Sequence, residues 1–380
     1  MKFFKGADVS SLAEVKHCGG RFYDGGREKE LLDILKDHGF NLVRLRLWND
    51  PFTEDGISYG GGGNDLETTL SLAREVKERG MSWLLNFHYS DCWVDPGKQT
   101  LPKAWQGMRE EQLEEAVYRY TEKVLQRCRE EGVLPDIVAV GNEVTAGLLW
   151  PFGKYPAYEN IARFISAGIR AVRDAAPKAE VMVHLDNGGK NELYRDWFDH
   201  YLACGGEDFD YIGLSYYPFW HGTLEMLKGN MNDLALRYGK KLLLTEVSTA
   251  HTMKDYKEYE KLPDEKRKGM AATPKLAEEV PFAMTPEGQA EFMQKIMRII
   301  AQVPERKGCG FCYWEPAWLP VPGSGWASEA GIVYMKEKGS GGNEWANQGL
   351  FDYDGNALPA LKVIRDFEKR TGNRTFFVVE

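Results

Sequence analysis

The chain has 380 residues, 43% of them hydrophobic, and carries 48 lysines and arginines against 57 aspartates and glutamates, a formal net charge of −9. That content can bury a large core, and α/β barrels often carry this length as one domain. A mild acid excess argues against nucleic acid as a partner, and no apolar run reaches the length of a membrane span.

The chain opens Met1-Lys2-Phe3-Phe4-Lys5-Gly6, with charge where a signal peptide needs a long apolar stretch. This predicts a cytoplasmic chain, or else a secreted one whose signal has been removed. The cysteines at 18, 92, 128, 204, 309 and 312 are scattered, without the spacing of a disulfide framework, which points to a reducing compartment. Cys309-Gly-Phe-Cys312 has the redox spacing but leads into strand-like Phe311-Cys312-Tyr313-Trp314, not a helix N-terminus. One pair is also only half a zinc site, so buried structural thiols are expected.

Short apolar, β-branched or aromatic runs recur at 3–9, 42–48, 83–89, 137–143, 181–186, 211–217, 242–247 and 310–315. Helical periodicity fills the intervals at 28–38, 66–79, 110–131, 158–175, 192–203, 224–238 and 286–303, and follows the last strand at 358–370. Asp65 is the expected N-cap of the second helix, and the glycines 60–63 before it read as a flexible loop. No lysine followed by serine or threonine comes after them, so they do not form a phosphate loop. Alternating strands and helices imply parallel strands, and eight closes a barrel. An open doubly wound sheet would carry a phosphate-binding turn after its first strand, and Gly6-Ala7-Asp8-Val9-Ser10 is not one. The expected fold is therefore α/β, a (β/α)8 TIM barrel, with residues 1–380 as a single catalytic domain. Long loops at 249–285 and 316–357 fall where such a barrel keeps its site.

The predicted strand ends collect polar and aromatic residues: Asp8, Arg46, Trp48, Asn86, His88, Asn142, Glu143, Asp186, Asn187, Tyr216, Tyr217, Glu246, Trp314 and Glu315. Glu143 and Glu246 close the fourth and seventh strands, so both carboxyls reach one mouth. Paired carboxyls are what glycosidic cleavage needs, one to protonate the leaving oxygen and one to attack the anomeric carbon. The attacking group needs a cation or hydroxyl beside it, for which Arg46 and Tyr216 are candidates. The acid needs burial and a negative neighbour. Asn142 is placed to hold the sugar 2-hydroxyl. Loop tryptophans at 93, 105, 150, 220, 318, 326 and 345 suit stacking on sugar faces, with about half expected to pack loops instead. His88, His184 and His221 form a competing metal constellation, but the first strand lacks the two histidines such barrels usually place there.

The motifs, taken in order, resemble the endo-β-1,4-galactanases of glycoside hydrolase family 53. The resemblance rests on Gly6-Ala-Asp-Val-Ser-Ser11, Arg44-Leu-Arg46-Leu-Trp48-Asn-Asp-Pro51, Phe87-His-Tyr-Ser-Asp91 with Trp93, Gly141-Asn-Glu-Val-Thr145, Ser215-Tyr-Tyr-Pro218, Tyr313-Trp-Glu-Pro-Ala-Trp318 and Asn347-Gln-Gly-Leu-Phe-Asp352. It implies a retaining (β/α)8 hydrolase with Glu143 as acid/base and Glu246 as nucleophile, their carboxyl carbons about 5–5.5 Å apart. It places Asn142, Arg46, His88, Tyr216 and Trp314 around the galactose. With the strand ends and loop aromatics, the candidate substrate-binding set is Asp8, Arg46, His88, Asp91, Trp93, Asn142, Asp186, Tyr216, Trp314 and Trp345.

The implied substrate is β-1,4-galactan or its oligosaccharides, the latter favoured for a cytoplasmic enzyme. No cofactor is implied for catalysis and no membrane or nucleic-acid partner; the oligomeric state is left unknown. The family often holds a structural calcium between the last two long loops, but no ligand set maps onto residues 253–273, and the metal ligands stay unknown. Glu246 is also followed by Val247-Ser248-Thr249-Ala250-His251, not the short Tyr-Pro turn common in the family. Two alternatives stay open: a related barrel acting on another β-glycan (a glucan or mannan), and a glycan-binding barrel without catalysis.

Overall fold

The computed structural model describes residues 2–254, 256, 274–338 and 341–368. Eight strands close into one parallel barrel: β1 Phe4–Asp8, β2 Leu42–Leu47, β3 Ser82–Phe87, β4 Ile137–Val140, β5 Glu180–Leu185, β6 Tyr211–Tyr216, β7 Lys241–Val247 and β8 Gly308–Trp314. Each pairs with its sequence neighbours, and β8 returns to β1 from Phe4–Gly310 to Asp8–Trp314. The helices α1 Leu31–Asp37, α2 Leu66–Glu78, α3 Glu110–Glu130, α4 Tyr158–Ala175, α5 Asn191–Ala203, α6 Leu224–Tyr238, α7 Pro286–Gln302 and α8 Pro359–Asp366 follow the strands in turn. This is the expected (β/α)8 barrel.

Local chemistry sets the helix starts. The Asp65 carboxylate accepts from the backbone N–H groups of Glu67 and Thr68, and Thr223 and Thr285 cap α6 and α7 in the same way. The first helix is shorter than its periodicity predicts. Residues 27–29 pair antiparallel with 22–24 across Gly25 and Gly26, whose φ angles of 58° and 73° suit a two-residue hairpin turn. The helix begins only after that hairpin.

Strand alternation divides the core in two. Phe4, Leu42, Leu84, Ile137, Ala139, Met182, Tyr211, Leu243, Cys309 and Cys312 form a buried cluster inside the barrel. Their neighbours Val43, Leu45, Val138, Val183, Ile212, Leu214 and Leu244 join the larger layer under the helices. Cys309 and Cys312 are thus packing residues, and all six cysteines are free thiols. The alternation breaks in β8, where Gly308 and Gly310 face the consecutive Leu242 and Leu243 and Cys309 is the extra residue, and it breaks again next to Glu246. Leu214 pairs with Leu244 but Ser215 with Glu246, so Thr245 is an extra residue, a β-bulge. The Thr245 hydroxyl still reaches Met182 Sδ inside the barrel, and Glu246 then faces inward as well.

The loop after β8 folds over the mouth and docks on the loop after β3. Trp93 Nε1 donates to the Trp326 carbonyl at 2.7 Å, Tyr334 donates to Asp91, and Lys98 pairs with Glu337 at 2.8 Å. Gly60 and Gly61 pack against this wall; a Cβ on Gly61 would stand 2.9 Å from Trp93 Nε1. Residues 255 and 257–273, most of the stretch searched for calcium ligands, lie outside the described residues.

Candidate active site

Above the apolar cluster the barrel axis is filled by charge. Arg44 and Arg46, two residues apart on β2, both point inward and are fully buried. Arg44 donates to Asp8 Oδ2 at 2.6 Å and Asn142 Oδ1 at 2.7 Å, and pairs with Glu246 Oε1 at 2.8 Å. Arg46 pairs with Asp8 Oδ1 at 3.0 Å and Glu315 Oε1 at 2.6 Å, and lies 4.4 Å from the Trp93 ring centroid. Burial pushes the Glu315 carboxyl up to about 7, against the pull of Arg46.

The two glutamates stand on this floor in different company. Glu246 receives Arg44 on one oxygen and the Tyr217 hydroxyl, at 2.8 Å, on the other. Among the described residues no cation pairs with Glu143. Burial first, then the charges of Glu246 and Asp186, hold its carboxyl well above the usual range, and a bond from Ser215 opposes them. A carboxylate oxygen of Glu143 lies within 4.8 Å of one of Glu246. Glu143 is held with φ 46° and ψ 52°, a left-handed backbone that glutamate rarely adopts.

A cleft of about 630 Å³ opens over the pair. Of the expected site residues, the structure brings Arg46, His88, Trp93, Asn142, Asp186, Trp314 and Trp345 to its walls with both glutamates. Trp48 Nε1 donates to His88 Nδ1 at 3.1 Å, so the neutral ring carries its proton on Nε2, which has no protein partner and serves as a donor to the cleft. Burial, reinforced by Arg46 and Arg44, holds His88 in that neutral form. Asn142 Nδ2 donates one hydrogen to the Val94 carbonyl at 3.0 Å and keeps the other. Asp186, pushed up to about 6 by burial, has one oxygen without a partner.

Three expected residues belong elsewhere. Tyr216 faces outward, stacks on Phe292 of α7 and donates to the Gly222 carbonyl at 2.8 Å. Strand parity explains this, because Tyr211, Ser215 and Tyr217 share the inward face of β6 and Tyr216 falls between them. Asp8 is fully buried beneath the cleft as the shared counter-ion of both arginines. Asp91 ties loops together, accepting from the backbone N–H groups of Asp50 and Lys103 and from Tyr334. The partners expected for the attacking carboxylate, Arg46 and Tyr216, are therefore replaced by Arg44 and Tyr217.

Aromatic rings line the cleft. Trp314 at its base meets Tyr217 edge-on at 6.2 Å and Trp345 at 5.6 Å, and Trp345 meets Trp220 at 5.7 Å. Trp220 is 42% exposed, while Trp318 and Trp326 are buried. Trp105 and Trp150 do not line the cleft. Floor, paired carboxyls and tryptophan walls together make a site for a sugar chain.

Comparison with known proteins agrees. Glycosyl hydrolase family 53 matches residues 4–364. The chain belongs to this family. It is 36% identical to the endo-beta-1,4-galactanase of Bacillus subtilis (strain 168), over 96% of this chain and 85% of that one. It is 33% identical to the arabinogalactan endo-beta-1,4-galactanase of Humicola insolens, over 95% and 98%. The solved GH53 catalytic domain of Ignisphaera aggregans superposes with a TM-score of 0.87 at 37% identity, covering 96% of each chain. As a member of family 53 the chain is a glycoside hydrolase, and no helix among the described residues is long and apolar enough to cross a membrane.

One metal-like grouping lies in the family 53 site: Glu143, His184 and Glu246 offer ligand atoms within 4.8 Å of one another. Their electrostatics oppose a cation. Both Glu246 oxygens are engaged, His184 Nε2 is bonded to Ser215 at 2.8 Å, and the Arg44 guanidinium already sits in the group. His88 and His221 take no part in it, so the competing histidine constellation does not assemble among the described residues.

Proposed function

We propose that this chain is a retaining hydrolase of β-1,4-galactosidic bonds, acting on galactan or galacto-oligosaccharides through one catalytic domain, with Glu246 as nucleophile and Glu143 as acid/base. The observation that carries the role assignment is the unequal company of the two carboxyls. Glu246 accepts from a guanidinium and a phenol, which suits an anion that attacks and later departs. Glu143 lies beside negative charge with no cation, which suits a group that enters the reaction protonated. An oxygen-to-oxygen approach within 4.8 Å is compatible with the close carboxyls of double displacement. Both chemical tasks are met by carboxyl groups, so the reaction needs no cofactor. The named activities of the relatives support galactan over a glucan or mannan. Six free thiols support a reducing compartment, where oligosaccharides become the substrate.

The test is a pair of variants. Glu246→Ala should abolish turnover on every substrate. Glu143→Ala should keep glycosylation by aryl galactosides with good leaving groups and be rescued by azide. The β-anomer should form first, as followed by NMR. The opposite assignment of the two variants, or an α-anomer first, overturns the reading. Binding of galactotetraose without turnover by the unaltered protein would instead mark a glycan-binding barrel.

A further inference from the structure

One pair of buried polar groups has no part in the chemistry above. Ser215 on β6 and His184 on β5 are both fully buried, with His184 Nε2 and Ser215 Oγ 2.8 Å apart. The Ser215 hydroxyl is also the group that favours the ionised Glu143 carboxyl against its burial. A Glu143 oxygen and a His184 ring nitrogen lie within 4.8 Å of one another, a span that one hydroxyl making two ordinary hydrogen bonds can bridge. The three groups therefore form a chain from β4 through β6 to β5.

The direction of that chain follows from the far end of the ring. His184 Nδ1 is buried and has no hydrogen-bond partner. A buried N–H without an acceptor is rarer and costlier than an unpaired acceptor. The proton of the neutral ring therefore belongs on Nε2, where it is donated to Ser215 Oγ. Burial and the nearby Arg44 keep the ring from charging. A serine hydroxyl that accepts from His184 has its own proton left to give, and Glu143 is there to take it.

We infer that His184 and Ser215 are positioning residues for the acid/base: His184 Nε2–H fixes Ser215 as a donor, and Ser215 reserves one Glu143 oxygen as an acceptor. The acid's proton is then confined to the other oxygen. With the opposite tautomer, Ser215 would donate to His184 and accept from Glu143, drawing the catalytic proton away from the leaving group. The same bond steadies the ionised base that activates water in the second step. The groups that face Glu143 are Glu246, Asp186, Asp95, Tyr217 and Tyr194, and those within reach that are negative raise its carboxyl. Ser215 is the neighbour that acts the other way. This inference rests on the assignment of Glu143 as the acid/base.

The test is Ser215→Ala, with Ser215→Thr as the variant that keeps the hydroxyl and His184→Leu as the one that removes the far donor. Losing a bond to the charged form should raise the Glu143 pKa, so the alkaline limb of kcat/KM should move up by about one pH unit in Ser215→Ala. With the acid's proton free on either oxygen, kcat on galacto-oligosaccharides should fall about tenfold, and on dinitrophenyl galactosides much less. Ser215→Thr should restore both, and His184→Leu should reproduce the leaving-group effect. An unmoved alkaline limb with equal losses on both substrates overturns the proposal and leaves Ser215 a packing residue. Carbon-13 NMR of labelled glutamate follows the same Glu143 titration without turnover. An upward shift there in a protein inactive on all galactosides would keep the relay and reject the proposed β-galactosidic substrate.

Discussion

Tyr216 and Tyr217 are adjacent in sequence and face opposite ways, so one atom removed from each tests the site against the wall. Tyr217 donates to Glu246 Oε2 at 2.8 Å, and its ring is also held edge-on against Trp314. Tyr217→Phe removes the hydroxyl and leaves the ring. A hydrogen bond to a charged acceptor contributes about 1.5–3 kcal/mol, roughly a 10- to 150-fold effect on any step that regenerates the full charge. In the proposed mechanism that step is deglycosylation, where Glu246 departs as a carboxylate. Glycosylation discharges the same carboxylate, so losing the donor should not slow it to the same degree.

The expected outcome is an accumulating glycosyl-enzyme. On a dinitrophenyl β-galactobioside, Tyr217→Phe should show a pre-steady-state burst, with kcat and KM falling together and kcat/KM changing little. Stopped-flow release of dinitrophenolate measures it. A fall in kcat/KM with no burst would refute the reasoning, because the hydroxyl would then act in glycosylation. Tyr216→Phe is the control. Its hydroxyl goes to the Gly222 carbonyl, away from the cleft, so it should cost about 1 kcal/mol of stability and leave the kinetics unchanged.

Asp186→Asn removes a negative charge that opposes ionisation of Glu143, so the alkaline limb of kcat/KM should move down in pH, and an unmoved limb would disconnect the two groups. Trp345→Ala and Trp220→Ala should lower kcat/KM on galactan more than on galactotriose, because a stacked sugar remote from the cleaved bond is lost. Trp318 donates to Asn343 Oδ1 at 2.7 Å and is buried, so Trp318→Ala should lower the melting temperature and affect both substrates alike. Glu143→Gln should raise the melting temperature at pH 8 and do so less at pH 4. The Glu143 carboxyl is higher in the folded than the unfolded state, so its contribution is present below the unfolded value and is lost as pH rises through the folded one. Equal shifts at the two pH values would contradict that.

The barrel was legible because parallel strands buried on both faces read as unbroken apolar runs, and helices between them carry a different period. Both glutamates were legible because each ends such a run. What failed was parity within the runs. Tyr216 and Tyr217 look alike in sequence, and only continuing the alternation from Tyr211 through Gly213 and Ser215 would have picked Tyr217. Position favours Arg46, which lies nearer the strand end, yet Arg44, two residues further down the same face, is the one that reaches Glu246. The bulge at Thr245 lets Glu246 face inward one residue out of step, and no local pattern announces it. Asp8 and Asp91 sit at or near strand ends like true lining residues, and only their partners show that one is a counter-ion and the other a loop tie.

The roles proposed for the two glutamates follow from where the cations are, not from the glutamates themselves. Asp8, Glu143, Asp186, Glu246 and Glu315 crowd one barrel mouth with two buried guanidiniums among them. Arg44 is shared by Asp8 and Glu246, and Arg46 by Asp8 and Glu315. Glu143 is left to burial and like charge, which favour its protonated form. Ionising it at neutral pH would add a charge that only the Ser215 hydroxyl opposes, a state that costs stability in proportion to how high the carboxyl is held. Truncating Arg44 to methionine should therefore do more than weaken the nucleophile. Glu246 would lose its cation, the two carboxyls would become nearly equivalent, and the proton that marks Glu143 as the acid would be shared between them. Loss of turnover on galactan together with loss of azide rescue in the Arg44→Met, Glu143→Ala double variant would show that the guanidinium assigns the roles. Full rescue in that double variant would show that Tyr217 alone suffices.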